Sequence, residues 1–183
     1  MKNLILSIIL VLCSVMLTSS CKKQKTGIDG LPPLTHTGAQ TFGCLIDGTL
    51  FIPKGAGIGS PIKESIYTIA NGAPLFTMVA IDRSSSSRAF SLRLRMEGIE
   101  LKTGMIIPLV NEGIGRASVI YYDDQVPVSE KHITDEINKG ELEITRFDLT
   151  NKIISGKFWF NAVNINGKIV KATEGRFDMN FLR

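Results

Sequence analysis

The sequence predicts an all-β protein with a single antiparallel β-sandwich, and a closed calycin-like β-barrel is the alternative. From residue 41 onward, apolar side chains recur at every second position, the period of a strand with one buried face. Turn-forming pairs such as Asp47-Gly48, Asn71-Gly72 and Asn166-Gly167 separate these runs. No stretch after residue 21 has the 3.6-residue period of a long amphipathic helix. Short strands with closely spaced turns are typical of sandwiches and barrels.

Residues 1–20 are predicted to form a secretory signal peptide. Lys2 supplies a positive start, residues 4–17 are almost entirely apolar, and small residues 18–20 follow. An apolar run of about 14 residues rises roughly 21 Å as a helix, whereas the hydrocarbon core of a membrane is about 30 Å thick. This length favours a signal peptide, and an uncleaved membrane anchor is the alternative.

A cysteine follows the small residues, at position 21. The Ser19-Ser20-Cys21 ending resembles the lipobox of bacterial lipoproteins, although Thr18 stands where the commonest pattern has leucine. Looser boxes of this kind are typical of Bacteroidota. The resemblance implies that Cys21 carries diacylglycerol and a further acyl chain such as palmitate, which anchor the protein to a membrane. Ordinary secretion, with cleavage after Ser14, is the alternative.

Residues 21–40 are predicted to form a lipidated flexible tether. Pro32-Pro33 favours an extended backbone, and the segment has little periodicity. Surface-exported Bacteroidota lipoproteins commonly carry acidic residues after the cysteine, whereas residues 22–25 here read KKQK. We therefore expect attachment to the outer membrane on its periplasmic face, with the cell surface as the alternative.

Cys44 is the one thiol that this scheme leaves in the mature chain. Cys13 departs with the signal peptide and Cys21 is consumed by lipid, so no intramolecular disulfide is possible. Cys44 alternates with Phe42 and Ile46, and buried free cysteine behaves as a small apolar residue. We expect Cys44 to pack in the core rather than to act as a nucleophile.

Residues 41–183 are predicted to form the β-sandwich domain. The clearest strand is 89–96, in which alternate residues are apolar. The segment 123–140 is ambiguous: a short helix after Ser129 is possible, but a short strand at 132–134 is preferred. The predicted strands are 41–46, 49–52, 66–70, 75–81, 89–96, 99–101, 105–109, 117–122, 132–134, 142–149, 152–163 and 168–181.

A short pattern occurs twice near the C-terminus. GKFWF at residues 156–160 resembles GRFDM at residues 175–179, and RFD occurs at both 146–148 and 176–178. Two occurrences do not make a repeat protein. The pattern predicts that each glycine permits a close approach between strands while alternating apolar side chains enter the core. Arginine and aspartate two residues apart share a face and could pair across strands.

The segments LEITRFDLTNKIISGKFWFNAVN and GKIVKATEGRFD, in the C-terminal third, resemble an uncharacterised family of Bacteroidota lipoproteins. The pattern of that family ends in TxFD, then IISGxFxF, then GRFD. TFGCLIDGTLFIPKG, from residue 41, resembles its first hairpin. The resemblance implies a β-rich lipoprotein domain and brings no established catalytic residues.

No catalytic or metal-binding arrangement is recognisable, so we expect a protein that is not an enzyme and needs no metal or cofactor. His36 and His132 have no ligand-like spacing, and both are assigned to surface or turn positions. No G-x-S-x-G motif occurs.

The net charge of the predicted mature chain is small. The full sequence has 21 basic and 17 acidic side chains, and one of the basic ones, Lys2, belongs to the signal peptide. The mature chain therefore has 20 basic and 17 acidic side chains and a formal charge of +3. This weak, dispersed charge argues against nucleic acid as a partner.

The best candidate for a binding surface is the outward face around Trp159. If Phe158 and Phe160 face the core, Trp159 faces outward. An aromatic ring among polar groups suits a glycan or a protein partner. In the alternative interpretation, Trp159 packs beneath a loop. The predicted surface consists of Lys157, Trp159, Asn161, Arg176, Asp178 and Asn180.

Three functions remain open on this evidence. The leading hypothesis is a lipid-anchored, non-enzymatic envelope module that binds or scaffolds a partner. The alternatives are a barrel that encloses a small apolar ligand and a hydrolase whose site is assembled from loops. A filled core with an exposed Trp159 favours the first, a large apolar cavity the second, and converging acidic or histidine side chains the third. The oligomeric state is left open.

Overall fold

A computed structural model describes residues 30–55, 62–84, 88–127 and 130–183. The predicted signal peptide, Cys21 and residues 22–29 of the predicted tether lie outside these ranges. Within them, no helix is long and apolar enough to cross a membrane.

The described part of the chain contains β-strands and no α-helix, which confirms the all-β prediction. The preferred short strand in the ambiguous segment is present as β8, whereas residues 99–101, predicted as a strand, form none. Leu101 is buried although it lies in a loop, so an apolar residue there does not require a strand. The strands are β1 Thr41–Ile46, β2 Thr49–Phe51, β3 Lys63–Ala70, β4 Ala73–Asp82, β5 Phe90–Glu97, β6 Ile106–Leu109, β7 Arg116–Asp123, β8 His132–Ile133, β9 Gly140–Asp148, β10 Ile153–Val163 and β11 Ile169–Asn180.

The strands form one sheet in the order β2-β1-β11-β10-β9-β6-β7-β5-β4-β3. Neighbours are antiparallel except β6 and β7, which pair in parallel at Leu109 and Ala117. β8 pairs with both β7 and β10, so β10, β9, β6, β7 and β8 close into a five-stranded ring. This closure is consistent with the barrel alternative.

A second closure joins β3 to the chain just after β11. The amide of Tyr67 donates to the carbonyl of Leu182 at 2.8 Å, and the amide of Leu182 donates to the carbonyl of Ser65 at 2.9 Å. The outer edge of β3 is therefore paired there, which removes a free edge that would favour aggregation.

Apolar side chains from the inner face of the sheet form a continuous core. The alternation predicted for 89–96 is present in β5, where Leu92, Leu94 and Met96 are buried. Cys44 is fully buried, which confirms its predicted core position, and burial raises the pKa of its thiol to about 12. The largest fully buried side chains are Phe76, Phe160, Phe181, Met78, Leu92, Leu94, Met96, Leu109, Leu142, Ile144, Ile154 and Met179.

Candidate functional site

Residues 30–40, here called the strap, lie across the outer face of the sheet before the chain enters β1. The strap is fastened to β11 through the Asp178 carboxylate, which accepts hydrogen bonds from three backbone amides and two threonine hydroxyls of the strap. Ser155 on β10 donates to the same carboxylate at 2.7 Å. The strap donors are Thr35 Oγ1 at 2.7 Å, Thr37 N at 2.9 Å, Gly38 N at 2.8 Å, Ala39 N at 3.1 Å and, more weakly, Thr37 Oγ1 at 3.5 Å.

Asp178 is only 1% exposed, which corrects the expectation that it belongs to an open binding surface. The strand period placed it on the outer face correctly, but the strap covers that face. Burial alone would raise the pKa of Asp178. Hydrogen bonds from Thr35, Ala39, Ser155 and Thr37 outweigh that effect and hold the pKa well below its usual range.

The strap also contacts β9 and β1. The carbonyl of His36 accepts a hydrogen bond from Arg146 on β9, and its Nδ1 lies 3.2 Å from the Thr145 hydroxyl. On β1, a Cβ at Gly43 would lie 2.7 Å from Pro32 Cδ, so the glycine permits this close approach. The last part of the predicted tether therefore lies against the domain, and the boundary at residue 41 stays a prediction.

Trp159 stands on the outer face of β10 and is 43% exposed. It lies directly opposite Glu141 on β9, and Lys157 lies opposite Glu143. Lys157 Nζ is 3.2 Å from Glu143 Oε2, which makes an ion pair at the surface. Trp159 thus stands beside charged side chains on a regular strand rather than beneath a loop.

A β-bulge in β11 shapes the other side of Trp159. Phe158 pairs with Gly175 and Phe160 with Ala172, so two residues, Thr173 and Glu174, stand opposite Trp159. Glu174 has a positive φ of 56°, a conformation that side chains other than glycine rarely adopt. Bulges of this kind redirect side chains and bend the strand locally.

Arg176 folds back over this bulge. Its Nε donates to the carbonyl of Glu174 at 3.1 Å, and its Nη2 donates to Glu174 Oε2 at 2.8 Å. The residue is 9% exposed, so it is much less open than the sequence pattern suggested. The two-residue period of a strand predicts which face of the sheet a side chain occupies. It does not predict that the Arg176 guanidinium folds back onto its own strand.

These side chains line a cleft of about 420 Å³, here called the Trp159 cleft. Of the predicted surface, Lys157, Trp159 and Arg176 line it, whereas Asn161 and Asn180 do not and Asp178 lies beneath the strap. The prediction missed Leu34, Glu141, Glu143, Thr173 and Glu174, which also line it. Glu141 and Glu143 could have been predicted from the sequence, because they alternate along β9, which forms a hairpin with β10. Glu174 could not, because the bulge in β11 interrupts the alternation there. Leu34 carried no such signal.

A second concavity, here called the end pocket, is lined by residues of β1, β5, β7, β8 and β11 and of the loops beside them, and has a volume of about 240 Å³. Its lining includes the aromatic rings of Phe90, Tyr121 and His132. Phe90 and Tyr121 are nearly parallel, with centroids 6.2 Å apart, and Tyr121 lies 6.3 Å from the ring of His132. Charged side chains that also line it are Asp47, Arg88, Asp123, Glu130 and Lys168.

The charges around the end pocket are largely paired. Arg88 Nε lies 2.5 Å from Asp123 Oδ2, and this hydrogen bond lowers the pKa of Asp123. Burial raises the pKa of Tyr121, and the negative charge of Asp123 adds to the effect. Both groups therefore keep their ordinary charges at neutral pH.

His132 lies in β8 with a partly buried ring, which corrects its assignment to a surface or turn position. Its Nε2 is buried and has no hydrogen-bond partner among the residues that the structure describes. Burial lowers the pKa of His132, and the nearby charge of Lys168 lowers it further. The imidazole is therefore neutral at neutral pH. Nowhere in the described ranges, the end pocket included, is a group of three or more histidine, cysteine or acidic side chains placed to hold a metal ion.

Comparison with known proteins identifies one family model. It is described as a domain of unknown function, DUF6252, and matches residues 91–179. The matched segment runs from β5 into β11 and includes Trp159, Lys157 and Arg176. No curated protein and no solved structure matches the chain. The match is consistent with the predicted relation to an uncharacterised family.

Proposed function

We propose that this protein is a lipid-anchored envelope module that binds a glycan in the Trp159 cleft and catalyses no reaction. The observation that carries the proposal is the position of Trp159, which is 43% exposed on a regular strand among charged side chains. An indole offers a flat apolar face together with a polar N–H group. A sugar ring has a matching arrangement, an apolar face with hydroxyl groups at its edge.

The form of the cleft favours a glycan over a protein partner. Its volume of about 420 Å³ lies within the range of roughly 300–1,000 Å³ that small-ligand sites occupy. A stable protein interface needs about 800 Å² on each partner, with apolar anchors at its centre. Apart from Trp159 and Leu34, the cleft presents mainly polar and charged groups, which can hydrogen-bond to sugar hydroxyls.

Two of the glutamates that line the cleft are paired with basic side chains. Glu143 is paired with Lys157 at 3.2 Å, and Glu174 is paired with Arg176 at 2.8 Å. Groups that are fixed in this way lose less conformational entropy when a ligand binds. Both signs of charge are present, so a neutral saccharide suits the cleft better than a strongly charged one.

Replacing Trp159 with alanine is expected to weaken glycan binding by at least tenfold, because the stacking surface is lost. Isothermal titration of the full-length protein with chitotetraose, cellotetraose and laminaritetraose measures the effect. Trp159 is the sole tryptophan of the chain, so its fluorescence also reports binding to the wild type. Ile165→Ala is the matched control, because Ile165 is 75% exposed in the β10–β11 turn and does not line the cleft. Binding that survives Trp159→Ala unchanged would place the ligand elsewhere, and a wild type that binds no oligosaccharide would reject the glycan proposal.

The anchoring part of the proposal rests on the small residues before Cys21, on the apolar run that precedes them and on the basic residues that follow. Replacing Cys21 with serine is expected to abolish lipid attachment, since serine lacks the thiol that the lipid reaction needs. Metabolic labelling with a palmitate analogue and membrane fractionation measure the result, with Cys44→Ser as the matched control. Label that remains on Cys21→Ser, or a soluble unlabelled wild type, would contradict lipid anchoring. Protease treatment of intact cells tests the periplasmic face, because a domain on that face stays uncut.

A further inference from the structure

We propose that the end pocket is a second binding site, which takes a small neutral molecule with a single hydroxylated aromatic ring, a phenol in the simplest case. The site shares no lining residue with the Trp159 cleft and does not depend on the function proposed for that cleft. Three properties of the pocket lead to this class of ligand: an unsatisfied nitrogen, a stack of rings and a balanced set of charges.

The unsatisfied nitrogen is His132 Nε2. It is buried without a hydrogen-bond partner in the described ranges, and such a group costs roughly 1–3 kcal/mol when it is left unpaired. A hydroxyl group both donates and accepts hydrogen bonds, so it satisfies either tautomer of a neutral imidazole. A ligand hydroxyl therefore supplies the interaction that the described chain leaves unmade.

The rings of the pocket select the body of the ligand. Phe90 and Tyr121 are parallel to within 4°, and the ring of His132 is tilted by 55° against Tyr121. A further aromatic ring can stack on one of these faces and meet another edge-on, the two favoured arrangements of aromatic pairs. A cavity of about 150 Å³ holds one benzene molecule. The 240 Å³ of the end pocket therefore accommodates one ring with its substituents.

The charges of the pocket favour a neutral ligand. Arg88 is already paired with Asp123, and Lys168 is the other basic side chain in the lining. Asp47 and Glu130 add negative charge, so the described lining has no excess of positive charge with which to attract an anion. The lowered pKa of His132 agrees with this, because its imidazole carries no charge at neutral pH.

The two histidines of the chain make the test direct. His132 lies in the end pocket and His36 in the strap, so carbon-13 labelling of histidine gives one resonance at the site and one internal control. The full-length protein is titrated with phenol and, in a parallel sample, with toluene, which has a ring of similar size and no hydroxyl. We expect phenol to shift the His132 resonance to saturation and to leave His36 unchanged. We also expect phenol to bind about fivefold or more tightly than toluene, since a hydrogen bond contributes about 1 kcal/mol.

A variant separates the hydrogen bond from the stacking. His132→Phe keeps a flat ring and removes both nitrogens, so the phenol hydroxyl loses its partner in the pocket. The preference for phenol over toluene should then be lost or reversed when the ligand resonances are observed. A wild-type His132 resonance that phenol does not move, or equal affinities for phenol and toluene, would overturn the proposal. The comparison of the two ligands on the wild type stands by itself if the variant does not fold.

Discussion

Replacing Asp178 with asparagine is expected to detach the strap from the sheet and to lower the free energy of unfolding by about 3 kcal/mol. The buried carboxylate accepts hydrogen bonds at both oxygens, from Thr37 and Ala39 at Oδ2 and from Gly38 and Ser155 at Oδ1. Asparagine has nearly the same shape but only one acceptor oxygen. Its amide group would direct N–H groups at donors that need an acceptor, which leaves several buried groups unpaired.

Two measurements check this expectation. Urea unfolding reports the free energy, and hydrogen exchange of the amides of Thr37, Gly38 and Ala39 reports whether the strap stays docked. Asp135→Asn is the matched control. Asp135 also accepts hydrogen bonds, from Ile137 N and from Asn138, but none of these donors belongs to the strap. Exchange in the strap that is equally slow in Asp178→Asn and the wild type would contradict the role assigned to the carboxylate.

The same carboxylate makes stability depend on pH in the acid range. The pKa of Asp178 is lower in the folded protein than its ordinary value of 3.8. Its stabilising effect is therefore fully present above that ordinary value and is lost as the pH falls through the folded pKa. We expect unfolding curves of the wild type to lose stability more steeply below about pH 4 than those of Asp178→Asn.

The strap shows where prediction from the sequence reached its limit. Period-two alternation placed Asp178 on the outer face correctly, because that property depends only on neighbouring residues. What covers the face depends on residues 139 to 143 positions away along the chain, and Thr35 to Ala39 have no pattern of their own. The pairing of β8 with β7 and β10, and the pairing of Leu182 with β3, were not predictable for the same reason. Both depend on the curvature of the whole sheet, which brings together segments that are distant in the sequence.

In the candidate sites too, features that depend on local alternation could be predicted, whereas features that depend on distant segments could not. Trp159 and Lys157 were predicted because they lie on a long strand with clear alternation, and both line the cleft. The end pocket was not predicted, because its side chains come from separate strands and turns that meet only when the sheet closes. His132 alone gave no signal, since a single histidine in a short strand resembles any surface histidine.

The repeated pattern near the C-terminus has a structural explanation that the sequence did not reveal. Its two copies pair with each other in antiparallel register, so that Gly156 faces Phe177, Lys157 faces Arg176, and Phe158 faces Gly175. Each phenylalanine thus lies against the glycine of the other strand. The predicted close approach is present at both glycines, because a Cβ at Gly156 would lie 2.8 Å from the ring of Phe177 and one at Gly175 would lie 2.5 Å from the ring of Phe158.

Replacing Gly156 with alanine is therefore expected to lower the free energy of unfolding by about 2–3 kcal/mol, the cost of overpacking a core. The added methyl group would meet the carbonyl of Glu143 at 2.6 Å as well as the Phe177 ring, and backbone cannot move aside as a flexible side chain can. Urea unfolding measures the change. Gly104→Ala is the control: nothing lies within 4 Å of a Cβ there, so it bears only the backbone cost of a positive φ, about 1–2 kcal/mol.

A double substitution distinguishes steric conflict from a general intolerance of this strand. Phe177→Leu alone should destabilise the protein, because it leaves space over Gly156. Combined with Gly156→Ala, it should cost less than the sum of the two single changes, since the new methyl group occupies part of that space. Strictly additive losses would show that Gly156 and Phe177 do not compete for the same volume. Lys157 and Arg176, which line the Trp159 cleft, form the pair between Gly156–Phe177 and Phe158–Gly175. The packing of each phenylalanine against the opposite glycine therefore also sets the spacing of the two strands beneath the cleft.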